Sequence, residues 1–336
     1  MEQKRIYYWD NLKGLLIISV VLGHLLECYI HDSHLLPRLW ILIYSFHMPL
    51  FVFISGYFAQ KSSRPAEHHI RKMFFLYLLM QVLFTVFNYF TVPDYNLLFL
   101  LASPEFGCWY LLFMVYAYIL VKFLQGKEEH LLHYIVTALI VSLLSGFDES
   151  IGHDWTVGRA LYFLPYFLTG YFAAAKKIKL ADIRQDYAKI SVPLSLAVIV
   201  AIPFIYIRLY STGIFNRVSL SGKTAYESLY PDNHLYGLLF RILVYGFSAL
   251  MALAVMTLMT HKKCILSFIG KQSLLIYLVH VLMLRAGFTF LGNMSFAESR
   301  RLNSCIILIL LAAWIIFWCL LAGLAVKGFK SRRRTG

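Results

Sequence analysis

The sequence predicts an all-helical, polytopic integral membrane bundle of about ten transmembrane helices with both termini in the cytoplasm. Three observations predict it. Of the 336 residues, 60% are hydrophobic and only 14% are charged, with a mean hydropathy of +0.67; soluble domains carry roughly 25% charged residues. The apolar residues collect into ten runs, most of them close to or above the ~20 residues needed to cross a bilayer core. The basic residues fall almost entirely on one side of those runs.

Taken in order, the runs cover about 11–30, 38–60, 73–92, 108–124, 131–146, 158–175, 189–207, 236–260, 272–291 and 302–326. The fifth is the shortest. The first exceeds a signal-peptide core and has no evident small-x-small cleavage site, so it reads as a retained helix. With the N-terminus inside, twenty Lys and Arg residues lie in the inner segments, among them Lys4, Arg5, Lys61, Arg64, Arg71, Lys72, Lys176, Lys177, Lys262 and Lys263. Six lie outside: Arg38, Arg208, Arg217, Lys223, Arg300 and Arg301. That asymmetry is the positive-inside pattern. It accounts for the formal charge of +14 as topology, and it excludes nucleic acid as a partner, since no basic stripe with interleaved aromatics stands apart from the membrane flanks. Five scattered cysteines show neither CxxC nor metal-ligand spacing and read as small apolar fillers, with no metal expected. No repeat and no appended soluble domain is visible, so whatever the chain does is expected in or at the bilayer.

Chemistry is expected first along one face of the first helix. His24 follows Lys13 by eleven residues, which on an α-helix is roughly 16 Å of rise and a return to nearly the same face. Asp10 falls within ~40° of that face by the same geometry. His24 would lie near the middle of a ~30 Å core. Ionisable groups at such depth are costly and mark a functional path by default.

Later runs carry similar polar points. In the second, His47 is nine residues beyond Arg38, or ~13 Å in from the outer edge, a depth close to that of His24. Pro49 is expected to kink this helix beside His47, and Ser55-Gly56 permits close backbone approach. The plain alternative for His47 is a side chain satisfied by a neighbouring carbonyl. The loop containing Lys61, Arg64, Arg71 and Lys72 reads as positive-inside flanking and also as an anion site. Among the outer acidic residues, Asp148 and Glu149 read as solvated surface, with acceptor hydroxyls as the functional alternative. Trp109 opens the fourth run, where a Trp-Tyr pair marks the interface or stacks on a sugar. Arg159, at the outer end of the sixth, snorkels or binds; Pro165 and Gly170 predict a broken or tightly packed helix. In the ninth, Tyr277 and His280 share a face, with His280 ~13 Å in from Lys271. Arg241 and Arg285 are further intramembrane cations, expected on backbone carbonyls or a carboxylate.

Together these segments resemble the membrane-bound acyltransferase-3 family, in particular its branch of fucose 4-O-acetylase-like sugar O-acetyltransferases. The residues that carry the resemblance are Asp10-x-x-Lys13-Gly14 with His24 after ten intervening residues, Phe46-His47-Met48-Pro49-Leu50-Phe51 ending in Ser55-Gly56-Tyr57, and Trp109-Tyr110-Leu111. Further on come Arg159-x-x-x-Phe163-Leu164-Pro165-Tyr166-Phe167-x-x-Gly170-Tyr171 and Gly270-x-x-Ser273-x-x-Ile276-Tyr277-Leu278-x-His280. The family often has arginine where this chain has Lys13, which keeps the charge and loses the planar fork.

The resemblance implies a single integral membrane acyltransferase domain over 1–336, with a helical bundle over about 10–326 and a basic cytoplasmic tail at 327–336. It implies the cytoplasmic membrane of a bacterium, acetyl-CoA as a co-substrate rather than a permanently bound cofactor, and a carbohydrate acceptor such as a surface polysaccharide or a lipid-linked sugar. Some family members carry an extracytoplasmic hydrolase-like domain; without one, the membrane part is expected to serve the acceptor directly. A neutral imidazole suits deprotonation of a sugar hydroxyl near pH 7. His24 is thus the expected general base, or the acyl carrier in a two-step variant. Lys13 would bind donor charge or hold the thioester carbonyl, with Asp10 orienting it. His47, Tyr277 and His280 would orient His24 or stabilise the oxyanion. Arg71, Lys72, Arg64, Lys61 and Ser55 are the expected donor-binding set, and Trp109 and Arg159 the expected acceptor-binding pair. The rival readings are a glycan or lipid exporter, against which the lack of an inverted repeat argues, and an enzyme of the same family with a non-glycan acceptor.

Overall fold

The computed structural model describes residues 7–28, 30–31, 34–91, 104, 107–151, 154–178 and 183–292. Among them every regular element is helical. The principal helices are α1 (Tyr7–Cys28), α2 (Leu36–Tyr44), α3 (His47–Gln60), α4 (Ala66–Thr91), α5 (Cys108–Leu124), α6 (Leu131–Leu144), α7 (Val157–Ala175), α8 (Ile183–Ser211), α9 (Tyr226–Leu229), α10 (His234–Leu258), α11 (Ile265–Lys271) and α12 (Ser273–Gly292). Among the described residues, six stretches are long and apolar enough to cross a membrane: Tyr7–Glu27, Leu36–Gln60, Ala66–Thr91, Glu128–Phe147, Tyr187–Ser211 and His234–Leu258. A seventh arises if α11 and the first part of α12, bent by 74°, form one span. The protein is therefore a multi-pass membrane protein. Of the ten expected runs, α5 is a shorter apolar helix of 17 residues, 158–175 forms α7 but is not among the six apolar spans, and 302–326 lies outside the described residues.

The chain divides into two compact units, one holding Met1–Trp40 with Met259–Gly336 and the other Ile41–Leu258. In the first, α1 packs on α11 and α12; in the second, α3 packs on α7, α4 on α5, α8 on α10 and α6 on α7. Within each unit the tightest crossing is made of glycine. In the first, a β-carbon on Gly14 would meet the Leu266 carbonyl at 2.1 Å, and one on Gly270 the Asp10 carbonyl at 1.8 Å. In the second, Gly56 would meet the Phe167 carbonyl and Gly170 the Phe53 carbonyl, both at 1.9 Å. Backbones this close need small residues, the usual solution where lipid supplies no hydrophobic drive between helices.

One expectation about breaks is corrected, and one of two stated alternatives is found for another. The 38–60 run does break, but at Ser45-Phe46, between α2 and α3, and not at Pro49. Phe46 is the N-cap of α3, so Pro49 lies in its first turn, where a missing N–H costs no helical hydrogen bond. The second concerns Pro165. It sits inside a continuous α7, and Gly170 makes this helix the tightly packed alternative rather than the broken one.

The long connection from α8 to α10 is ordered by side-chain hydrogen bonds. The Tyr226 hydroxyl donates to the Leu143 carbonyl at 2.9 Å, and Ser228 donates to Glu149 at 2.7 Å. Asp148 instead accepts from the backbone N–H and hydroxyl of Ser150, which holds its carboxyl below the usual range. Arg241, buried in α10, donates to the carbonyls of Ser142 at 2.7 Å and Thr224 at 3.3 Å and lies 4.6 Å from the Tyr226 ring centre. That is the carbonyl pairing expected of a cation at such depth. The side chain of Arg285 lies outside the described residues.

Candidate active site

In the first unit α1 and α12 bring two histidines together. The rings of His24 and His280 are 5.4 Å apart, tilted by 35°. His280 is fully buried, and its Nδ1 lies 2.6 Å from the Tyr277 carbonyl and 3.1 Å from that of Ile276. A carbonyl only accepts, so Nδ1 carries the hydrogen and Nε2 is the lone-pair nitrogen. That buried Nε2 has no hydrogen-bond partner among the described residues. In this tautomer His280 presents a lone pair and not a donor at Nε2. Tyr277, also buried, has its ring 5.7 Å from that of His280.

His24 keeps 17% of its side-chain surface, and its Nδ1 is 3.3 Å from Oε2 of Glu27. Lys13 and Asp10 are paired as expected, Nζ to Oδ1 at 3.7 Å, with the carboxylate largely buried. Next to Asp10, Asn11 is fully buried. Its amide donates to the carbonyls of Thr260 and Lys262 at 2.7 and 2.9 Å, and its oxygen accepts from Ser267 and Cys264. Ser267 in turn accepts from the Cys264 N–H at 3.0 Å, closing the start of α11. This network and the glycine crossing fix the Asp10–Lys13 end of α1 against α11.

The second unit holds the remaining candidates. His47 is buried in the first turn of α3, with Nδ1 2.8 Å from the Ile43 carbonyl and its ring 4.6 Å from Tyr44. The carbonyl contact expected of a plain structural histidine is present, and it leaves Nε2 as the lone-pair nitrogen. Ser55 does not join the basic loop: its hydroxyl donates to the Phe51 carbonyl at 2.9 Å and meets the Tyr110 hydroxyl at 2.6 Å, tying α3 to α5. Lys61 donates to the Tyr57 hydroxyl at 2.7 Å. Arg64 donates to His68 at 2.8 Å, and His69 stacks on Tyr118 at 4.6 Å while meeting the Ser62 hydroxyl at 2.7 Å. Ser62, Arg64, His69, Tyr118 and Glu128 contribute to the wall of a cavity of about 210 Å³. Arg71 and Lys72 are exposed and are not part of that wall. Trp109 is buried, with Phe163 stacked at 5.1 Å and the Arg159 guanidinium 5.0 Å from its ring centre. The two expected acceptor residues are thus in contact, and it is Arg159, half-buried, that reaches the surface.

A family model described as an acyltransferase domain matches residues 6–325. The chain belongs to the acyltransferase-3 family. Among relatives, the chain is similar to the nodulation protein NolL of Sinorhizobium fredii, at 54% identity over 54 residues covering 15% of each chain. It is similar to NolL of Mesorhizobium japonicum at 48% over 52 residues, 15% of this chain and 14% of that one. The chain thus spans about 15% of the length of these curated relatives. No solved structure matches it.

Two residues of the first unit were missed from sequence. Glu27 is a lone carboxylate three positions after His24 in an apolar helix, and that spacing was the available signal. Asn11 gave none, because its partners lie some 250 residues away.

Proposed function

We propose that this protein is an O-acetyltransferase of the bacterial cytoplasmic membrane that moves an acetyl group from cytoplasmic acetyl-CoA to a hydroxyl of a cell-surface or exported carbohydrate. One observation carries the reading. His24, on a membrane-crossing helix, keeps part of its surface accessible and stands beside a second, fully buried histidine.

In this reading His24 is the general base. The acceptor hydroxyl attacks the thioester carbonyl carbon as its proton passes to His24; the C–S bond breaks and the proton returns to the departing thiolate. Lys13, roughly 16 Å along the helix, is too distant for the thioester carbonyl and serves the charged end of an elongated donor, with Asp10 holding it. Arg64 and the cavity beside it receive donor phosphates, and exposed Arg71 and Lys72 add attraction. Tyr277 is the remaining oxyanion donor on α12. Arg159, backed by Trp109, contacts the acceptor.

The test is His24→Ala in the full chain. We expect loss of O-acetyl groups from surface glycans by mass spectrometry, with unchanged protein abundance in the membrane. Retained acetylation overturns the base assignment. Labelled acetyl transfer from acetyl-CoA by the purified protein checks the donor.

A further inference from the structure

The carboxylate beside His24 has no place in the scheme above, and it is unfavourable where it stands. Glu27 lies in the last turn of α1, where the helix dipole presents its negative end and a carboxylate is opposed. From Leu15 to Leu26 the same helix carries no other acidic residue. Local helix stability therefore does not explain a glutamate at this position. The contact with His24 does: Oε2 stands 3.3 Å from His24 Nδ1, on the i,i+3 face.

We propose that Glu27 is the positioning residue for His24: its carboxylate accepts the Nδ1–H hydrogen bond and so leaves Nε2 as the basic nitrogen that meets the acceptor hydroxyl. The inference rests on the reading of His24 as the base. An ionised carboxylate only accepts, so pairing with it selects the tautomer that carries hydrogen on Nδ1. His280, whose Nδ1 is held by two carbonyls, is restricted in the same way, and its ring limits the freedom of His24 from α12. In the reaction the acceptor O–H bond breaks and its proton joins Nε2 while the new C–O bond forms. As the C–S bond breaks, the same proton moves from Nε2 to the thiolate sulfur. Glu27 takes no proton at any point; it keeps the Nδ1 hydrogen bond and stabilises the transient imidazolium.

The experiment uses the full chain in lipid nanodiscs. With ¹⁵N-labelled histidine, and the His24 signals assigned by their loss in His24→Gln, the expected spectrum shows Nδ1 protonated and Nε2 unprotonated. In Glu27→Leu the two tautomers are expected to mix. Kinetics use labelled acetyl-CoA as donor and, as acceptor source, membranes of the host strain lacking the gene. Glu27→Leu is expected to lower kcat about 10- to 100-fold, the range known for carboxylates that orient metal-bound histidines, with KM for acetyl-CoA nearly unchanged. Glu27→Gln, which retains an acceptor oxygen at the same reach, should recover a large part of that loss. An unprotonated Nδ1 in the native protein overturns the proposal, as does an unchanged tautomer or unchanged kcat in Glu27→Leu. The two failures separate cleanly: an active His24→Gln variant sinks the base itself, whereas an inactive His24→Gln beside a fully active Glu27→Leu sinks this inference alone.

Discussion

Replacing Gly270 by alanine should disturb both the stability and the chemistry of the first unit. The added methyl would stand 1.8 Å from the Asp10 carbonyl oxygen and 2.8 Å from the Gly14 nitrogen, whereas ordinary contact begins near 3.4 Å. Both obstacles are backbone, so no side chain can swing aside. Relief requires α11 to move off α1 by more than ~1 Å, and overpacking of this kind costs about 1–3 kcal/mol. Alanine's better helix propensity returns at most ~1 kcal/mol. The displaced residues matter to the proposed reaction: Asp10 lies on the crossing, and α12, which carries His280, follows α11 directly. Misplacement by ~1 Å in such a site can lower turnover ~10²-fold. Gly246→Ala is the control, because nothing lies within 4 Å of its β-carbon; it should leave activity intact and match or raise stability by about 0.5–1 kcal/mol. Thermal unfolding of the detergent-purified protein and transfer from labelled acetyl-CoA measure the two effects. If Gly270→Ala melts and turns over like the native protein, or if Gly246→Ala is equally damaged, the close crossing is not what holds this site.

Two other perturbations follow from the same structure. Lys13→Arg keeps the charge beside Asp10 and should retain partial activity with a raised KM for acetyl-CoA; complete loss would show that lysine's compact ammonium is required. Arg241→Met removes the donor held by the Ser142 and Thr224 carbonyls and the contact with Tyr226. It should lower unfolding stability by about 1–3 kcal/mol, read as an earlier melt and faster proteolysis in the connection between α8 and α10.

The spacing of apolar runs made the helical class and most helix positions readable, because burial in lipid requires long uninterrupted apolar helices. It misplaced the break at Pro49, since the cost of a proline depends on where its helix starts, and that start is set by the turn at Ser45-Phe46. Lys13 and Asp10 were paired correctly because i,i+3 neighbours need no tertiary information. Ser55 was assigned to the donor end, yet its partner is Tyr110 on another helix, a contact no local pattern reveals. Arg71 and Lys72 were grouped with Arg64 by sequence proximity, and the helical start of α4 separates them from the cavity wall.

The amino-acid sequence by itself determined the helical, membrane-spanning class of this chain and the motif order that its family shares. Those are properties of composition, period and motif order. Only the tertiary structure decided which groups face the rings of His24, His47 and His280 and which glycines hold helix against helix. A hydrogen-bond partner on a neighbouring turn or a distant helix is chosen by packing in three dimensions, and the linear order of residues does not encode it locally.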